Sequence, residues 1–185
     1  MTVKAQIRIL TVSIAAILGL MDALRSSVAA QSVSDSQVKA AYLYSFAKFA
    51  EWPARKFPEP STPILFCLVS DPGFESELNR TMIGKTISGR TVRIVLVEEV
   101  EQARNCHVLF LNTARSRQTQ RILEGVRGAA VLTVGETDDF LQKGGMIRFV
   151  LHDERVQFEV NHKIASQEGL YISARLLGVA RKIFE

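Results

Sequence analysis

The chain has 185 residues, a formal net charge of +4 and 47% hydrophobic residues, values typical of a folded globular protein and not of a disordered one. Its 23 basic residues form no stripe or run, so nucleic acid is not an expected partner, because phosphate binding needs clustered cations. The three histidines lie far apart along the chain, which excludes a metal motif with closely spaced ligands.

The first thirty residues have the pattern of a secretory signal. Lys4 and Arg8 precede an apolar and small-residue run over residues 9–20, and small residues precede polar Gln31. We expect cleavage between Ala30 and Gln31. An uncleaved membrane anchor is the alternative, but twelve helical residues rise only about 18 Å, less than the ~30 Å hydrocarbon core. Residues 1–30 are therefore predicted to be a signal peptide.

The rest of the chain, residues 31–185, is long enough for one core and too short for two comfortable ones. We therefore predict a single domain. Its first helix is predicted within residues 38–53, with Asp35 or Ser36 as the N-cap and Pro53 ending the helix near Trp52. Apolar residues recur there at intervals of three and four, which favours one buried face; they are Val38, Ala41, Tyr42, Phe46, Phe49 and Ala50. Such an aromatic stripe forms either core or a docking surface.

Residues 39–53, KAAYLYSFAKFAEWP, resemble the signature of the YfiR family of periplasmic proteins, whose usual form is KAAYLYNFAKFVEWP. Ser45 and Ala50 replace Asn and Val, and neither change disturbs the helical face. Members of this family are small regulators that restrain an inner-membrane diguanylate cyclase. The resemblance continues in GGMIRFV…VQFEVN, residues 144–161, and in GLYISARLLGVARKI, residues 169–183. It thus covers nearly all of the chain after the signal peptide.

Residues 53–63 are rich in proline and predict an extended connector. Short apolar runs follow, and each predicts a strand buried between helices; the runs are residues 64–69, 91–97, 107–111 and 129–134. Helical patterns at residues 73–82 and 115–126 lie between strands, and a turn is expected at residues 84–90. The order strand, helix, strand predicts βαβ units with parallel strands.

The C-terminal third predicts a short helix, a hairpin and two further helices. Residues 137–139 can cap a helix that continues to Lys143 and ends at the following glycine pair. Residues 147–152 and 156–161 alternate with a period of two around a tight polar turn, which predicts an antiparallel hairpin at one edge of the sheet. Asn161 can cap a helix ending at Gly169.

Ser173 can cap a final helix. Its apolar face would contain Leu176, Leu177, Val179, Ala180 and Ile183. Together the elements predict a single-domain α/β fold with a mostly parallel sheet, helices on both faces and an antiparallel edge hairpin.

Cys67 and Cys106 are the only cysteines. An exported chain meets an oxidising compartment, the count is even, and each residue lies on or beside a predicted strand, so we expect a disulfide. Two free buried thiols are the alternative. A bond at these positions also fits the resembled family; some of its members carry a second pair near the Gly-Gly strand, and this chain has none.

No catalytic motif is visible. Ser70-Asp71-Pro72-Gly73 is not a GxSxG turn, and no phosphate-cradling GxGxxG or GxxxxGK[ST] sequence occurs. The adjacent Asp138 and Asp139 favour helix capping over paired catalytic carboxylates. We therefore predict no catalytic residues, no metal site and no cofactor.

The fold itself suggests one generic ligand site. In open α/β sheets, ligands bind outside the carboxyl ends of the strands. The residues predicted there are Ser70, Asp71, Gly73, Asn112, Thr113, Arg115, Gly135 and Glu136. Ordinary turn and cap roles are the alternative for all eight.

The resemblance implies a function that does not need catalysis. By resemblance, the chain would bind the periplasmic domain of a membrane diguanylate cyclase and repress it, which would control cyclic-di-GMP and biofilm formation. An OmpA-like outer-membrane lipoprotein would sequester the regulator, and a homodimer is left open. The alternatives are a periplasmic small-molecule-binding protein and an uncharacterised enzyme; convergent polar residues in an apolar pocket would favour the former, and a bonded nucleophile and base the latter.

Overall fold

A computed structural model describes residues 34–69, 72–112 and 116–185. The predicted signal peptide and its cleavage position, Ala30 and Gln31, lie outside the described residues. The helices are α1 (Asp35–Lys48), α2 (Pro72–Met82), α3 (Val100–Ala103), α4 (Ser116–Gly125), α5 (His162–Gln167) and α6 (Ala174–Leu177), with a 3₁₀ turn at Ala54–Lys56. The strands are β1 (Ala50–Glu51), β2 (Ile64–Val69), β3 (Thr86–Ile87), β4 (Arg90–Leu96), β5 (Val108–Leu111), β6 (Leu132–Gly135), β7 (Ile147–His152), β8 (Arg155–Asn161), β9 (Tyr171–Ile172) and β10 (Lys182–Phe184).

One eight-stranded sheet has the order β10-β8-β7-β6-β5-β2-β4-β3. From β4 to β7 all neighbouring strands are parallel, as the βαβ order predicts. β3–β4 and β7–β8 are antiparallel hairpins. The β7–β8 hairpin lies one strand in from the edge, because β10 pairs in parallel with β8. A separate two-stranded ladder joins β1 to β9.

Helices cover both faces of the sheet, as predicted. Alternate residues of β2 point to opposite sides, with Phe66 and Leu68 in one core and Cys67 and Val69 in the other. The first core contains buried residues of α1, α2 and α6, and the second contains buried residues of α3 and α4. Among the described residues, no helix has both the length and the apolar character that a membrane crossing requires.

The N-cap of helix α1 lies one residue before the predicted caps, and the helix ends earlier than expected. Ser34 is the N-cap: its hydroxyl accepts from the Gln37 N–H (3.2 Å), and the Gln37 side chain accepts from the Ser34 N–H (3.0 Å), which forms a capping box. The helix ends at Lys48 because the chain then becomes strand β1. Ala41 is exposed, so the predicted face is rotated; the buried residues are Ala40, Leu43, Phe46 and Ala47.

The predicted C-terminal helix is wrong beyond Leu177. Val179 and Ile183 are 69% and 37% exposed, and the chain from Lys182 forms edge strand β10. The reason is tertiary: the outer edge of β8 offers backbone partners, beginning with the Phe158 carbonyl that accepts from the Arg181 N–H (2.9 Å). Edge pairing satisfies groups that an exposed helix would leave to solvent.

Two further local predictions are corrected. Residues 137–144 form consecutive turns and no helix; the Thr137 hydroxyl donates to the Asp139 carboxylate (2.9 Å). The proline-rich connector is not extended throughout, because it contains the 3₁₀ turn and a bonded turn in which the Thr62 N–H donates to the Glu59 carbonyl (3.1 Å).

Candidate binding sites

The carboxyl ends of β2, β5 and β6 meet at one edge of the sheet. Val69 pairs with Leu111, and Leu111 pairs with Gly135, so the residues that follow these three strands are neighbours. Four of the eight predicted ligand residues lie outside the described residues, namely Ser70, Asp71, Thr113 and Arg115. Gly73 and Asn112 are exposed. The described part of this predicted site is therefore best defined around β6.

Gly135 has a packing role in the structure. A Cβ atom at this position would overlap the Phe140 ring, and a Cβ atom at Gly145 would overlap the other side of the same ring. Phe140 is completely buried. The two glycines thus allow one aromatic ring to fill the space between β6 and the start of β7, which accounts for Gly135 without a ligand.

Glu136 forms the charged part of a cleft at this edge. Both of its carboxylate oxygens lie near Lys39 Nζ of α1, at 2.9 and 3.0 Å. The pair borders a cleft of about 230 Å³. The other lining residues are Asp35, Phe149, Val150, Leu151 and Val156. The cleft can bind a side chain or small group through apolar contact and one ion pair, but it presents no nucleophile among these residues.

Sequence reasoning missed a buried ionic cluster on the hairpin. Glu159 is 3% exposed, and its carboxylate contacts Arg148 Nη2 (2.8 Å) and Arg181 Nη1 (2.6 Å). Arg148 also donates to the Asp138 carbonyl (2.6 Å). The cluster thus ties β7, β8 and the chain entering β10 together, and it offsets the cost of burying a carboxylate.

The signal that could have found this cluster is the register of the hairpin. Asp153 and Glu154 have φ values of 49° and 58°, which are typical of a two-residue turn of the type I′ class. A two-residue turn sets His152 opposite Arg155 and, four residues further along each strand, Arg148 opposite Glu159. The predicted strands, residues 147–152 and 156–161, leave Asp153, Glu154 and Arg155 together as the turn. A three-residue turn does not place Arg148 opposite Glu159.

His107 is buried in an aromatic and cationic cluster beside the disulfide. Its Nδ1 accepts from the Leu65 N–H (3.1 Å), and its ring stacks on Phe57 with centroids 4.8 Å apart. The Trp52 indole N–H donates to the His107 carbonyl (3.1 Å). Lys56 Nζ donates to the Cys106 carbonyl (2.7 Å). These contacts give His107 a packing and hydrogen-bonding role in the structure.

Burial shifts the pKa values of both titratable groups in this cluster. Desolvation, followed by the nearby Lys56 and Arg90 charges, lowers the pKa of His107 to about 4. Desolvation, followed by Arg55 and Arg104, lowers the pKa of Lys56 to about 8. The imidazole is therefore neutral at neutral pH, and its accepting Nδ1 fixes the tautomer with the proton on Nε2.

The expected disulfide joins Cys67 of β2 to Cys106, just before β5. The two Cα atoms are 5.9 Å apart, an ordinary separation for this bond. Both residues are nearly completely buried. The disulfide therefore crosslinks two neighbouring parallel strands inside the second core. Within the described part of the chain, no group of three or more metal-ligating side chains comes together.

Comparison with known proteins identifies a family over most of the chain. A family model described as DUF4154, YfiR/HmsC-like, matches residues 36–181. Two solved structures share the fold at 9% sequence identity. One is the ABC domain in complex with L-Trp from Streptococcus pneumonia, with a TM-score of 0.51 over 80% of this chain and 60% of that chain. The other is a conserved domain protein from Vibrio cholerae O1 biovar El Tor, with a TM-score of 0.56 over 81% of this chain and 60% of that chain. This chain therefore matches about 60% of the length of each.

Proposed function

This chain belongs to the YfiR/HmsC-like family, and we propose from that membership that it is a periplasmic regulatory protein. It binds the periplasmic domain of an inner-membrane diguanylate cyclase and represses that enzyme, and so controls cyclic-di-GMP and biofilm formation. An OmpA-like outer-membrane lipoprotein is the proposed antagonist that sequesters it. The observation that carries the proposal is the family match over residues 36–181.

Two properties of the chain support export. The disulfide between Cys67 and Cys106 suits an oxidising compartment. The N-terminal pattern before Gln31 is that of a secretory signal. In this proposal the protein acts by binding its partner, and the cyclase carries out the catalysis.

Repression by binding is a shift of population. The regulator stabilises an inactive form of the cyclase by the difference between its affinities for the inactive and active forms. A shift from about 99% active to about 99% inactive enzyme requires a difference of about 10⁴-fold in affinity. Such a difference needs an extended protein interface, since no single surface contact supplies it.

The small-molecule alternative has weaker support at the carboxyl edge of the sheet, where the ligand residues were predicted. The cleft at Glu136 has a volume of about 230 Å³, below the ~300–1,000 Å³ of ordinary ligand pockets. The cleft is also bordered by an ion pair that is already formed. A cleft of this kind suits a single side chain of a protein partner better than a whole ligand.

A deletion strain tests the proposal. Loss of this protein should raise cellular cyclic-di-GMP, and a second deletion that removes the cognate cyclase should abolish the rise. Complementation with the whole chain should restore the basal level. A matched variant without residues 2–30 should accumulate in the cytoplasm and fail to complement, because it cannot reach the periplasmic domain of the cyclase.

Three results would contradict the proposal. Cyclic-di-GMP could stay unchanged in the deletion strain, the cytoplasmic variant could complement as well as the whole chain, or the rise could persist after every membrane cyclase with a periplasmic domain is deleted. The first result would contradict the regulatory role, the second would contradict action in the periplasm, and the third would contradict a membrane cyclase as the partner.

A further inference from the structure

Among residues 34–69, 72–112 and 116–185, no strand pairs with the outer edge of β4 over most of its length. β3 pairs only with Arg90 and Thr91, whereas β4 continues to Leu96. On its inner side, β4 pairs with β2 from Val92 to Leu96. Within the part of the chain that the structure describes, five residues of β4 therefore have a strand partner on one side and none on the other.

The hydrogen bonds around β4 establish which backbone groups face outward. The Val97 N–H donates to the Leu68 carbonyl of β2 (2.9 Å). Because successive residues of a strand point their N–H groups to opposite sides, Val92, Ile94 and Leu96 direct theirs away from β2. Arg90 pairs with Ile87 of β3 across the two-residue turn, so its N–H faces outward, and the alternate residues that follow it face the same way. Among the described residues, no partner bonds these outward groups.

An apolar groove lies beside this open edge. It has a volume of about 500 Å³, and its apolar lining includes Met82, Ile83, Val92 and Ile94. Ile83 is 82% exposed, and Leu96 is 43% exposed. An added strand could therefore bond the edge and also bury apolar side chains on the α2 side of the sheet.

The charged residues that line the groove are Arg80 and Lys85. Arg80 is already paired with Glu77 (3.0 Å), so Lys85 is the basic residue on which the charge preference of the groove rests. Two exposed glutamates lie beyond the end of β4, Glu98 and Glu99. Arg93 is exposed on the opposite face of β4. If two copies of this chain paired through these edges, their basic side chains would be brought together, which is destabilising. The charges favour a different protein with acidic residues.

We propose that the β4 edge, residues 92–96, binds an extended segment of a protein partner in which apolar and acidic residues alternate. The apolar side chains contact Ile83, Val92 and Ile94 in the groove. The acidic side chains lie on the opposite face near Arg93, and a further carboxylate can reach Lys85 at the rim. The backbone of the segment bonds the outward groups of β4 and extends the sheet by one strand. This surface deepens the proposed function, on which it rests for the existence of a protein partner.

Hydrogen exchange observed by NMR on the exported chain tests the edge directly, with two capped heptapeptides of sequence TVEVEVT and TVKVKVT as probes. In the free protein, the amides of Ile94 and Leu96 should exchange faster than those of Arg93 and Val95, whose N–H groups face β2. The acidic peptide should protect the outward amides of Val92, Ile94 and Leu96. The basic peptide should leave them unprotected.

Matched variants separate edge binding from general charge attraction. Arg93→Glu should weaken binding of the acidic peptide about tenfold, because a cross-strand attraction becomes a repulsion. The control Lys163→Glu reverses an exposed charge on α5 and should leave the affinity unchanged. Leu96→Pro removes an outward N–H without removing a bond to β2, so it should reduce binding, whereas Leu96→Thr should not. If Leu96→Pro does not fold, Arg93→Glu still decides.

Two outcomes would overturn the inference. Equal affinity for both peptides, or no protection of the three amides, would exclude an acidic strand at this edge. Protection of the same amides in the free protein at rising concentration would assign the edge to a second copy of this chain. Either result leaves the cyclic-di-GMP test untouched, so failure here is distinguishable from failure of the proposed function.

Discussion

The His107 ring couples protonation to folding. In the folded chain its pKa is lowered to about 4, chiefly by burial, whereas an exposed imidazole titrates near 6.5. Between these values the unfolded chain binds a proton that the folded chain does not, so the free energy of unfolding falls as pH decreases from 6.5 to 4. Above pH 6.5 the imidazole is neutral in both states, so it does not lower the free energy of unfolding. Between pH 6.5 and pH 4 the free energy of unfolding falls by about 3 kcal/mol at most.

We predict that His107→Gln removes this pH dependence. A glutamine can still accept from the Leu65 N–H but does not titrate. Urea unfolding at pH 4.5, 5.5, 6.5 and 7.5 should show that the difference in stability between wild type and variant shrinks by about 2 to 3 kcal/mol as the pH falls. The control His152→Gln changes an exposed residue at the hairpin end and should follow the wild-type curve. A constant difference across the series would contradict the prediction.

The arginines that hold Glu159 should differ in importance. The Arg148 side chain is 18% exposed and the Arg181 side chain is 39% exposed, while the carboxylate they share is 3% exposed. Removal of the more buried partner leaves the carboxylate less compensated. We predict that Arg148→Met lowers the free energy of unfolding by about 3 kcal/mol and Arg181→Met by about 1 kcal/mol. Chemical denaturation measures both.

The double variant Arg148→Met, Glu159→Leu supplies the control. It removes both charges, so it should recover part of the stability that Arg148→Met loses. Equal losses for the two single arginine variants would show that the tail arginine is as important as the strand arginine. No recovery in the double variant would show that the cost arises from packing and not from an uncompensated charge.

Among the elements, the turns that lead into β7 depend on close packing around one ring. We predict that Gly135→Ala and Gly145→Ala each lower the stability by about 1 to 3 kcal/mol, because each new methyl group would overlap Phe140. The control Gly73→Ala lies at an exposed position in the first turn of α2, where alanine should leave stability unchanged or raise it slightly. Melting temperatures compare the three. An unchanged melting temperature for Gly135→Ala would contradict the packing role.

The elements also show how far sequence patterns reach. The buried strands and helices α1, α2 and α4 follow from periodicity, because each buries a face that its own sequence defines. The C-terminal tail could not be assigned in this way: its apolar residues fit a helical spacing, but the open edge of β8 makes residues 182–184 a strand. The β1–β9 ladder likewise joins two dipeptides 120 residues apart in sequence, which no local signal predicts.

The candidate sites divide in the same way. The pairing of the two cysteines follows from their number and from the oxidising compartment that the predicted signal implies, and Glu136 was placed at the carboxyl edge by strand order alone. The Lys39 partner of Glu136 comes from α1, 97 residues earlier, so it required the tertiary fold. The open β4 edge was also hidden, because the sequence predicts where strands occur but not how far a neighbour covers them. Ser70, Asp71, Thr113 and Arg115 stay predictions.

At the scale of the whole molecule, the proposed export would determine which residues form the mature protein. We predict that the mature chain begins at Gln31, because the apolar run over residues 9–20 is too short to span a bilayer and small residues precede the cleavage position. N-terminal sequencing of protein from the periplasmic fraction measures this. A variant Ala30→Lys should block processing and accumulate at its full length. Full-length wild-type chain in the membrane fraction would contradict the prediction.

The stability of the fold should depend on export, because the disulfide needs an oxidising compartment. Cys67 and Cys106 are 39 residues apart, and closing a loop of that length should stabilise the fold by about 4 kcal/mol through the entropy of the unfolded chain. We predict that Cys67→Ala, Cys106→Ala lowers the free energy of unfolding by about that amount without abolishing the fold, since both cores are otherwise complete.

Thiol titration of freshly isolated periplasmic protein under denaturing, non-reducing conditions should find no free thiol. Denaturation of the oxidised, reduced and double-alanine forms then separates the crosslink from the side chains. The reduced form should match the double variant to within about 1 kcal/mol, because a buried thiol and a methyl group pack similarly. If reduction leaves the stability unchanged, the crosslink does not constrain the unfolded chain. In that case the fold would be equally stable in a reducing compartment, and its stability would not depend on an oxidising one.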